Sequence, residues 1–279
     1  MAKTLLKTHN LFSALPTIIL FCLLQLSNVK SDSFSFSFSS FGPEQNFDIG
    51  YLGDARPSGG VIQLTRRDGP DGITLQKHSV GRAVYIPPVR LWDKSTGKLA
   101  DFETEFSFMV DSAGREIHAD GLAFFMIPFD ADPRIPKNST GGFLGLFSPE
   151  TAFNTNQNQI LAVEFDSFGN VWDPIPVPIA PHIGIDIDSL ESLRTADWPI
   201  NSVPEGSIGK ASISYNSNAQ ELTVVFGYFN TPPKKFVTLA QTIDLGGVLP
   251  EWVRIGFSGA TGDDVETHDI LSWSFSSRI

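Results

Sequence analysis

The chain has 279 residues, 41% of them hydrophobic and 18% charged, which is enough for one large or two small domains with a sizeable core. Its formal net charge of −11 argues against nucleic acid or an anionic membrane surface as a partner, because both are negatively charged. The same charge is compatible with an uncharged ligand or a bound cation.

The first 31 residues have the pattern of a secretory signal peptide. A positively charged start is followed by apolar residues 11–26, too short and too interrupted for a membrane span, and then by a cleavage site after Ser31. A buried N-terminal helix is the alternative. The only cysteine, Cys22, lies in this segment, and no later apolar run is long enough to span a membrane. We therefore expect a secreted domain at 32–279 that has no disulfide.

The rest of the chain is dominated by β-strand patterns. The opening "SFSFSFSSF" alternates serine and phenylalanine, so one face of the strand is apolar and the other is polar. Similar segments rich in Phe, Val and Ile follow at 102–110, 121–129, 160–168, 182–188, 210–229, 251–259 and 270–277. "SNAQ" at 217–220 predicts a hairpin turn. Many antiparallel strands and no long helix predict an all-β fold, an antiparallel two-sheet jelly-roll sandwich filled largely by the 23 phenylalanines.

The stretch "AVEFDSFGNVWDP" places acidic residues where a predicted strand ends. Glu164 and Asp166 are two residues apart and therefore share one face of the strand. Two carboxylates this close repel each other, and burial strengthens the repulsion. Asn170 and Asp173 follow in the loop. His182 opens the next predicted strand, which a hairpin would bring back beside the acids.

This set of side chains suits metal ions. Carboxylate, amide and carbonyl oxygens suit Ca²⁺, and carboxylates with one imidazole suit Mn²⁺. Five candidate ligands that share carboxylates predict two adjacent ions, whose charge would resolve the repulsion. The alternative from spacing alone is a solvated strand edge with scattered acids.

A catalytic reading of the same stretch is weaker. Some jelly-roll glycosidases place a nucleophile in a Glu-x-Asp pair, but they need a second acid as proton donor. Gly169 stands where those enzymes carry that acid. Serine-hydrolase, zinc-protease, phosphate-loop and redox motifs are also absent from the sequence. His118 and His268 are near acids, and we expect them to be surface or strand-end residues. The chain is thus predicted not to be an enzyme.

Several motifs resemble those of the legume lectin family. They are "ADGLAFF", "GGFLGLF", "LAVEFDSFGNVWDP", "PHIGIDIDSLES" and "LPEWVRIGFSGATGDDVETHDILSWSF", with "VGRAVYIPPVRLWD" before them. The resemblance covers residues 32–279. It implies a secreted or vacuolar homodimer or homotetramer whose jelly roll binds mono- or oligosaccharides of glycoproteins and glycolipids. It also implies one sugar site per subunit above a Ca²⁺/Mn²⁺ pair.

The resemblance also implies a role for individual residues. At the family's Mn²⁺ positions stand Glu164, Asp166, Asp173, His182 and, through water, Ser192. At the Ca²⁺ positions stand Asp166, the Phe168 carbonyl, Asn170 and Asp173. At the sugar positions stand Asp120, Gly142, Asn170 and the stacking ring of Phe168. The Ala119–Asp120 bond matches the family's cis peptide bond.

The sequence departs from the family pattern in two places. The proline-rich stretch 174–181 before His182 is longer than the family often has. The last loop, which selects the monosaccharide in the family, is short and carries Asp263 and Asp264 as candidate sugar contacts.

Two further predictions remain. Asn138 begins an Asn-Ser-Thr sequon and is a candidate glycosylation site. The alternative function is a lectin-fold defence or storage protein with weak or lost sugar binding. Such members of the family tend to lose the metal loop, and the presence of every metal position here favours the lectin.

Overall fold

The computed structural model describes residues 32–68, 74–173, 181–229, 231–232 and 234–279. The predicted signal peptide at 1–31 and most of the proline-rich stretch at 174–181 lie outside the described residues. A search of the described residues finds no helix that is both long and apolar enough to cross a membrane.

Two eight-stranded antiparallel sheets make up most of the fold. The front sheet contains, in spatial order, β15 (Arg194–Asp197), β14 (His182–Ile187), β13 (Leu161–Asp166), β12 (Gly121–Pro128), β19 (Trp252–Ala260), β7 (Val80–Tyr85) and β2 (Ile49–Gly53), with β8 (Val89–Arg90) beside β19. The back sheet contains β18 (Lys235–Thr242), β17 (Glu221–Tyr228), β16 (Ile208–Asn216), β11 (Asp101–Asp111), β20 (Thr267–Arg278), β4 (Val61–Gln63) and β3 (Arg56–Ser58), with β1 (Ser33–Phe38) beside β20.

Short elements connect the two sheets. Two-stranded ribbons pair β5 (Arg67–Asp68) with β6 (Thr74–Leu75) and β9 (Trp92–Asp93) with β10 (Lys98–Leu99). Three short 3₁₀ helices occupy Pro43–Phe47, Gly141–Phe143 and Pro199–Ser202. Within the described ranges the only α-helix is the single turn α1 (Leu245–Val248).

Phenylalanine side chains fill the space between the sheets. In β11 every second residue is buried, so Phe106 and Phe108 point towards the front sheet. The Phe106 ring lies 4.9 Å from Phe257, and the Phe108 ring lies 4.7 Å from Phe165, both in edge-to-face geometry. Such pairs add about 0.5–1.5 kcal/mol each beyond their buried area. The predicted two-sheet jelly-roll sandwich is confirmed.

The front sheet is buried on both faces at its centre. Every residue of β12 and β13 is buried. One face meets the core, and on the other Leu144 and Phe147 pack with Phe125 and Ala162 in a second apolar cluster. This explains why "GLAFFMIP" is continuously apolar rather than alternating. A polar side chain on the outer face of β13 is therefore withdrawn from water.

The longest predicted segments correspond to strands, and 210–229 divides into β16 and β17 at the predicted turn, where Asn216 pairs with Glu221. The strand patterns of the sequence did not indicate β2, β7, β15 or β18. Of these, β15 and β18 lie at sheet edges, and their residues are half-buried or exposed except for Leu239 in β18, so they lack a clear apolar period.

Candidate functional site

The hairpin of β13 and β14 brings the predicted metal ligands onto one surface. In its register Asp166 faces His182, and Glu164 faces Gly184. The ligand atoms of Glu164, Asp166 and His182 all lie within 4.8 Å of one another. These three side chains are almost completely buried, so a solvated strand edge does not describe them.

Gly184 leaves the space that this cluster occupies. A Cβ atom there would lie 2.0 Å from Ser192 Oγ and 2.5 Å from Glu164 Oε1. Ser192 Oγ is 2.6 Å from Glu164 Oε1 and also 2.6 Å from Asp186 Oδ1. A hydroxyl group has one proton, so one of these two contacts requires a protonated carboxyl group. Asp186 was not among the predicted ligands, although its spacing from His182 places both side chains on the same face of β14.

The turn after β13 is held by its own carboxylates. The Phe168 N–H group donates to Asp166 Oδ1 at 2.7 Å, and the Asn170 N–H group donates to Asp173 Oδ2 at 2.6 Å. The Asp173 N–H group in turn donates to the Asn170 carbonyl at 3.2 Å. Asp173 is half-buried and lies beside the tight three-residue group rather than in it. The two acids thus order the segment that carries the other predicted ligands.

Burial makes the negative charge of this cluster unfavourable. Burial, followed by the charges of Glu164 and Asp173, raises the pKa of Asp166 well above its usual range. Burial and the Glu164 charge also raise the pKa of Asp186. Burial opposes the charged form of His182, but the hydrogen bond and charge of Glu164 outweigh it and raise the pKa of His182. In the absence of a cation the cluster therefore retains protons, and a bound cation would displace them.

Unsatisfied polar atoms test whether a cation fits this site. Among the described residues, the buried atoms Asn170 Oδ1, His182 Nδ1 and Asp186 Oδ2 have no hydrogen-bond partner. Buried polar groups nearly always have partners, so a cluster of such atoms needs an explanation. Amide and carboxylate oxygens beside an imidazole are typical ligands of divalent cations. The donor set fits such an ion.

A second group of predicted residues surrounds Asp120, just before β12. The Ala119–Asp120 peptide bond is cis, as the resemblance implied. The Asp120 carbonyl accepts a hydrogen bond from the Ser167 N–H group at 2.9 Å. A Cβ atom at Gly262 would lie 2.9 Å from Asp120 Oδ2. The sequence analysis did not name Gly262, although it noted its loop.

Gly142 and Asn170 meet beside this carboxylate. A Cβ atom at Gly142 would lie 2.2 Å from Asn170 Oδ1, so the glycine backbone touches the amide group. A Cβ atom at the neighbouring Gly141 would lie 3.9 Å from both carboxylate oxygens of Asp120. The structure thus brings the three predicted sugar-binding residues together from three separate loops.

The Asp120 carboxylate is poised to accept hydrogen bonds. It is 5% exposed, and its Oδ2 atom has no partner within the described part of the chain. Burial raises the pKa of Asp120 to about 7, and the charges of Glu266 and Asp264 add to this effect. A hydroxyl-bearing ligand would supply the missing donors.

The remaining predicted sugar contacts lie at the rim of this group. Asp263 is largely exposed, and its Oδ1 atom is 3.5 Å from His78 Nε2. Asp264 and Phe168 are half-buried. The ring of Phe143 stacks on Trp172 at 5.4 Å, an aromatic pair that the sequence analysis did not name. Asn138, the candidate glycosylation site, is exposed.

The two other histidines were expected at the surface or at strand ends, and His268 is the second residue of β20, but neither side chain is exposed. His268 is fully buried and His118 is largely buried, and both are hydrogen-bonded to the buried carboxylate of Glu266. Sequence spacing places Glu266 only two residues from His268 but gives no indication of His118, which is 148 residues away.

The chain is similar to legume lectins in both sequence and structure. The legume lectin domain model matches residues 33–279. The chain is 50% identical to Lectin 8 of Medicago truncatula over 276 residues, which cover 99% of this chain and 98% of that protein. It is 46% identical to the mannose/glucose-specific lectin of Centrolobium tomentosum over 254 residues, with 89% and 97% covered. The solved metal-free form of lectin I-B4 from Griffonia simplicifolia matches with a TM-score of 0.78 and 39% identity, covering 88% of this chain and 100% of that one.

The raised pKa values predict how stability depends on pH. In chelator, we expect the melting temperature to fall as pH rises from about 5 to about 8, because raised folded-state pKa values mean that the folded chain retains protons that the unfolded chain releases. Asp120, with a pKa of about 7, and the buried Asp166, Asp186 and His182 all contribute in this direction.

Thermal scans with chelator and with added Ca²⁺ and Mn²⁺ would test this expectation. Divalent cations should stabilise the protein more at pH 8 than at pH 5, because protons compete for the ligands. A melting temperature that rises with pH in chelator would contradict the prediction.

Proposed function

Because the chain belongs to the legume lectin family, whose members bind carbohydrate without catalysis, we propose that it binds glycan sugars through Asp120, Gly142 and Asn170 beside a divalent cation site. Family membership supports a carbohydrate-binding, non-catalytic lectin with a jelly-roll fold.

The unpartnered Oδ2 atom of Asp120 carries the assignment of the sugar site. A sugar presents hydroxyl groups, which can donate to this buried acceptor. The Asn170 amide and the Gly142 backbone N–H group would donate to the same sugar. Hydrogen bonds to charged groups contribute about 1.5–3 kcal/mol each, so Asp120 would provide the largest share. Phe168 would cover the apolar face of the ring, and Asp263 and Asp264 would contact its edge.

The neighbouring cluster would hold Ca²⁺ and Mn²⁺. Glu164, Asp166, Asp173 and His182 would bind Mn²⁺, with Ser192 acting through water. Asp166, the Phe168 carbonyl, Asn170 and Asp173 would bind Ca²⁺. The bound cations would supply the positive charge that the buried carboxylates require. Support comes from the convergence of Glu164, Asp166 and His182 within 4.8 Å and from the unpartnered Asn170 Oδ1 atom.

The second candidate function is a defence or storage protein of the same fold with weak or lost sugar binding. The intact set of metal and sugar residues makes it the weaker candidate. A glycan array in the presence of Ca²⁺ and Mn²⁺, repeated in chelator, separates the two functions. Binding to defined glycans that disappears in chelator supports the lectin, and the absence of binding under both conditions supports the alternative. The same array identifies the preferred monosaccharide.

The cellular location and the oligomeric state of the protein are inferred from the N-terminal sequence pattern and from the family. We infer that residues 1–31 are a signal peptide and that 32–279 are the mature lectin, delivered to the cell exterior or a storage vacuole. Legume lectins are typically secreted or vacuolar. The mature chain would form a homodimer or homotetramer.

Asn138 should carry an N-linked glycan in the secreted protein. It is exposed, and the Ser139 hydroxyl group donates to the Pro136 carbonyl at 2.7 Å, so the sequon lies in an ordered surface turn. Mass spectrometry of protein from plant cells should show a loss of mass after glycosidase treatment, and none for Asn138→Gln. Identical masses before and after treatment would refute the assignment.

Substitution of Asp120 should remove sugar binding but not metal binding. Asp120→Ala deletes two charged hydrogen-bond acceptors, so we expect sugar affinity to fall by roughly 100-fold or more. Calorimetric titration with sugar and elemental analysis of the dialysed protein would measure both effects. Asp130→Ala is the matched control, because this exposed residue follows the opposite end of β12. Normal sugar affinity in Asp120→Ala would place the site elsewhere.

Substitution of Asp166 should remove both functions. Asp166→Ala deletes the carboxylate proposed to bridge the two ions, so metal content and sugar affinity should fall together. The melting temperature in Ca²⁺ and Mn²⁺ should also fall, because ions that bind only the folded state stabilise it. Added metal should not restore the variant. Normal sugar binding by metal-depleted Asp166→Ala would show that the cations are not required.

A further inference from the structure

The Glu266 carboxylate lies at the centre of a buried hydrogen-bond network. Glu266 Oε1 accepts from Ser167 Oγ at 2.6 Å and lies 2.9 Å from His268 Nε2, and Oε2 contacts His118 Nδ1. Because a carboxylate can only accept, both histidine nitrogens donate to it. Thr65 Oγ1 lies 3.0 Å from His268 Nδ1 and extends the network.

This carboxylate is ionised and fully satisfied. Burial opposes its charge, but hydrogen bonds from His118 and His268 outweigh burial and lower the pKa of Glu266 to about 2. The hydrogen bond to Glu266 raises the pKa of His118 above its usual value, which favours the charged form of the imidazole beside the carboxylate. Glu266 is 1% exposed and can accept no ligand itself.

The partners of Glu266 stand on both sides of Asp120. His118 precedes Asp120 by two residues, across the cis bond. The Ser167 hydroxyl group donates to Glu266, while its backbone N–H group donates to the Asp120 carbonyl at 2.9 Å. His268 belongs to β20 of the back sheet, where it pairs with Val110. Glu266 therefore ties the loop that carries Asp120 to the opposite sheet.

We infer that Glu266 is a positioning residue of the sugar site, which holds the Asp120 carboxylate in its binding geometry through Ser167 and His118. This inference rests on the proposed role of Asp120. The position of Asp120 then depends on two separate supports, the metal cluster and the hydrogen-bond network of Glu266.

A contribution to stability alone would not explain this arrangement. Replacing a buried ion pair by packed apolar side chains is often neutral or stabilising, so the charges are not required to hold the sheets together. Of the three side chains that donate to Glu266, those of His118 and Ser167 also belong to residues on either side of Asp120. A network that holds Asp120 in place before the ligand arrives reduces the entropy lost on binding.

A double-mutant cycle on the cation-loaded full-length mature protein tests the inference. Glu266→Gln and Ser167→Ala should each lower the affinity for galactose, fucose or mannose, whichever the wild-type protein binds, by about 10-fold. The losses should be less than additive in the double variant, because both changes act on one hydrogen bond: Ser167→Ala deletes it, and Glu266→Gln weakens it by removing the charge of the acceptor. Ser167→Thr, which keeps the hydroxyl group, should restore affinity. Metal content, measured in each sample, should remain at the wild-type level.

The control variant is Thr104→Val in the back sheet. Thr104 is buried, and its hydroxyl group bonds to Trp273 and to the Ser274 carbonyl, so the change lowers stability away from the site. It should lower the melting temperature and leave sugar affinity unchanged.

Three outcomes would overturn the inference. They are wild-type affinity in Glu266→Gln, additive losses in the cycle, and a loss of affinity that parallels loss of metal. If Glu266→Gln does not fold, Ser167→Ala and His118→Gln are judged by their affinity at full metal content. Normal affinity in Glu266→Gln together with lost affinity in Asp120→Ala would reject only this inference. Retained affinity in Asp120→Ala would reject the proposed sugar site itself.

Discussion

Repulsion between buried carboxylates is the constraint on which the site depends. Glu164 and Asp166 lie on one face of β13, and the front sheet is buried there on both sides, so water cannot screen their charges. Protonation relieves the repulsion at low pH, as the raised pKa of Asp166 indicates. At neutral pH a bound divalent cation would relieve it more completely, and the unpartnered oxygen of Asn170 would be an additional ligand for such an ion.

The repulsion also affects the proposed sugar site, because the turn after Asp166 contributes residues to both the proposed metal site and the proposed sugar site. The turn that follows Asp166 places Ser167 against the Asp120 backbone and Asn170 against Gly142. Any displacement of that turn would therefore move a proposed metal ligand and a proposed sugar contact together. In the proposed lectin, metal dependence is a direct result of chain connectivity and requires no long-range conformational change.

Much of the fold could be predicted because its strands have clear periods. Alternation indicated β1, segments rich in Phe, Val and Ile indicated β11 and β12, and turn residues divided β16 from β17. The edge strands β15 and β18 could not be recognised in this way, because they bury little apolar surface. At the site, the spacing of Glu164 and Asp166 and the expected hairpin indicated the three-residue cluster but left a solvated strand edge as an alternative, which the observed burial excludes. Asp186 needed the observed register, and the Glu266–His118 pair needed tertiary structure, since no local pattern links residues so far apart.

Two buried carboxylates near the proposed sugar site have opposite properties, and the difference lies in their hydrogen bonds. Both lose water on folding, which by itself raises the pKa. Glu266 gains donors from two histidines and a serine, and these lower its pKa to about 2. Asp120 lacks a comparable set and keeps an unpartnered oxygen, so its pKa rises to about 7. A carboxylate whose oxygens already have hydrogen-bond donors can hold its neighbours in place but cannot bind a ligand. A carboxylate with an unpartnered oxygen can bind a ligand, but other groups must hold it in position. In the proposed lectin, Glu266 would thus hold the loop in place while Asp120 would bind the sugar.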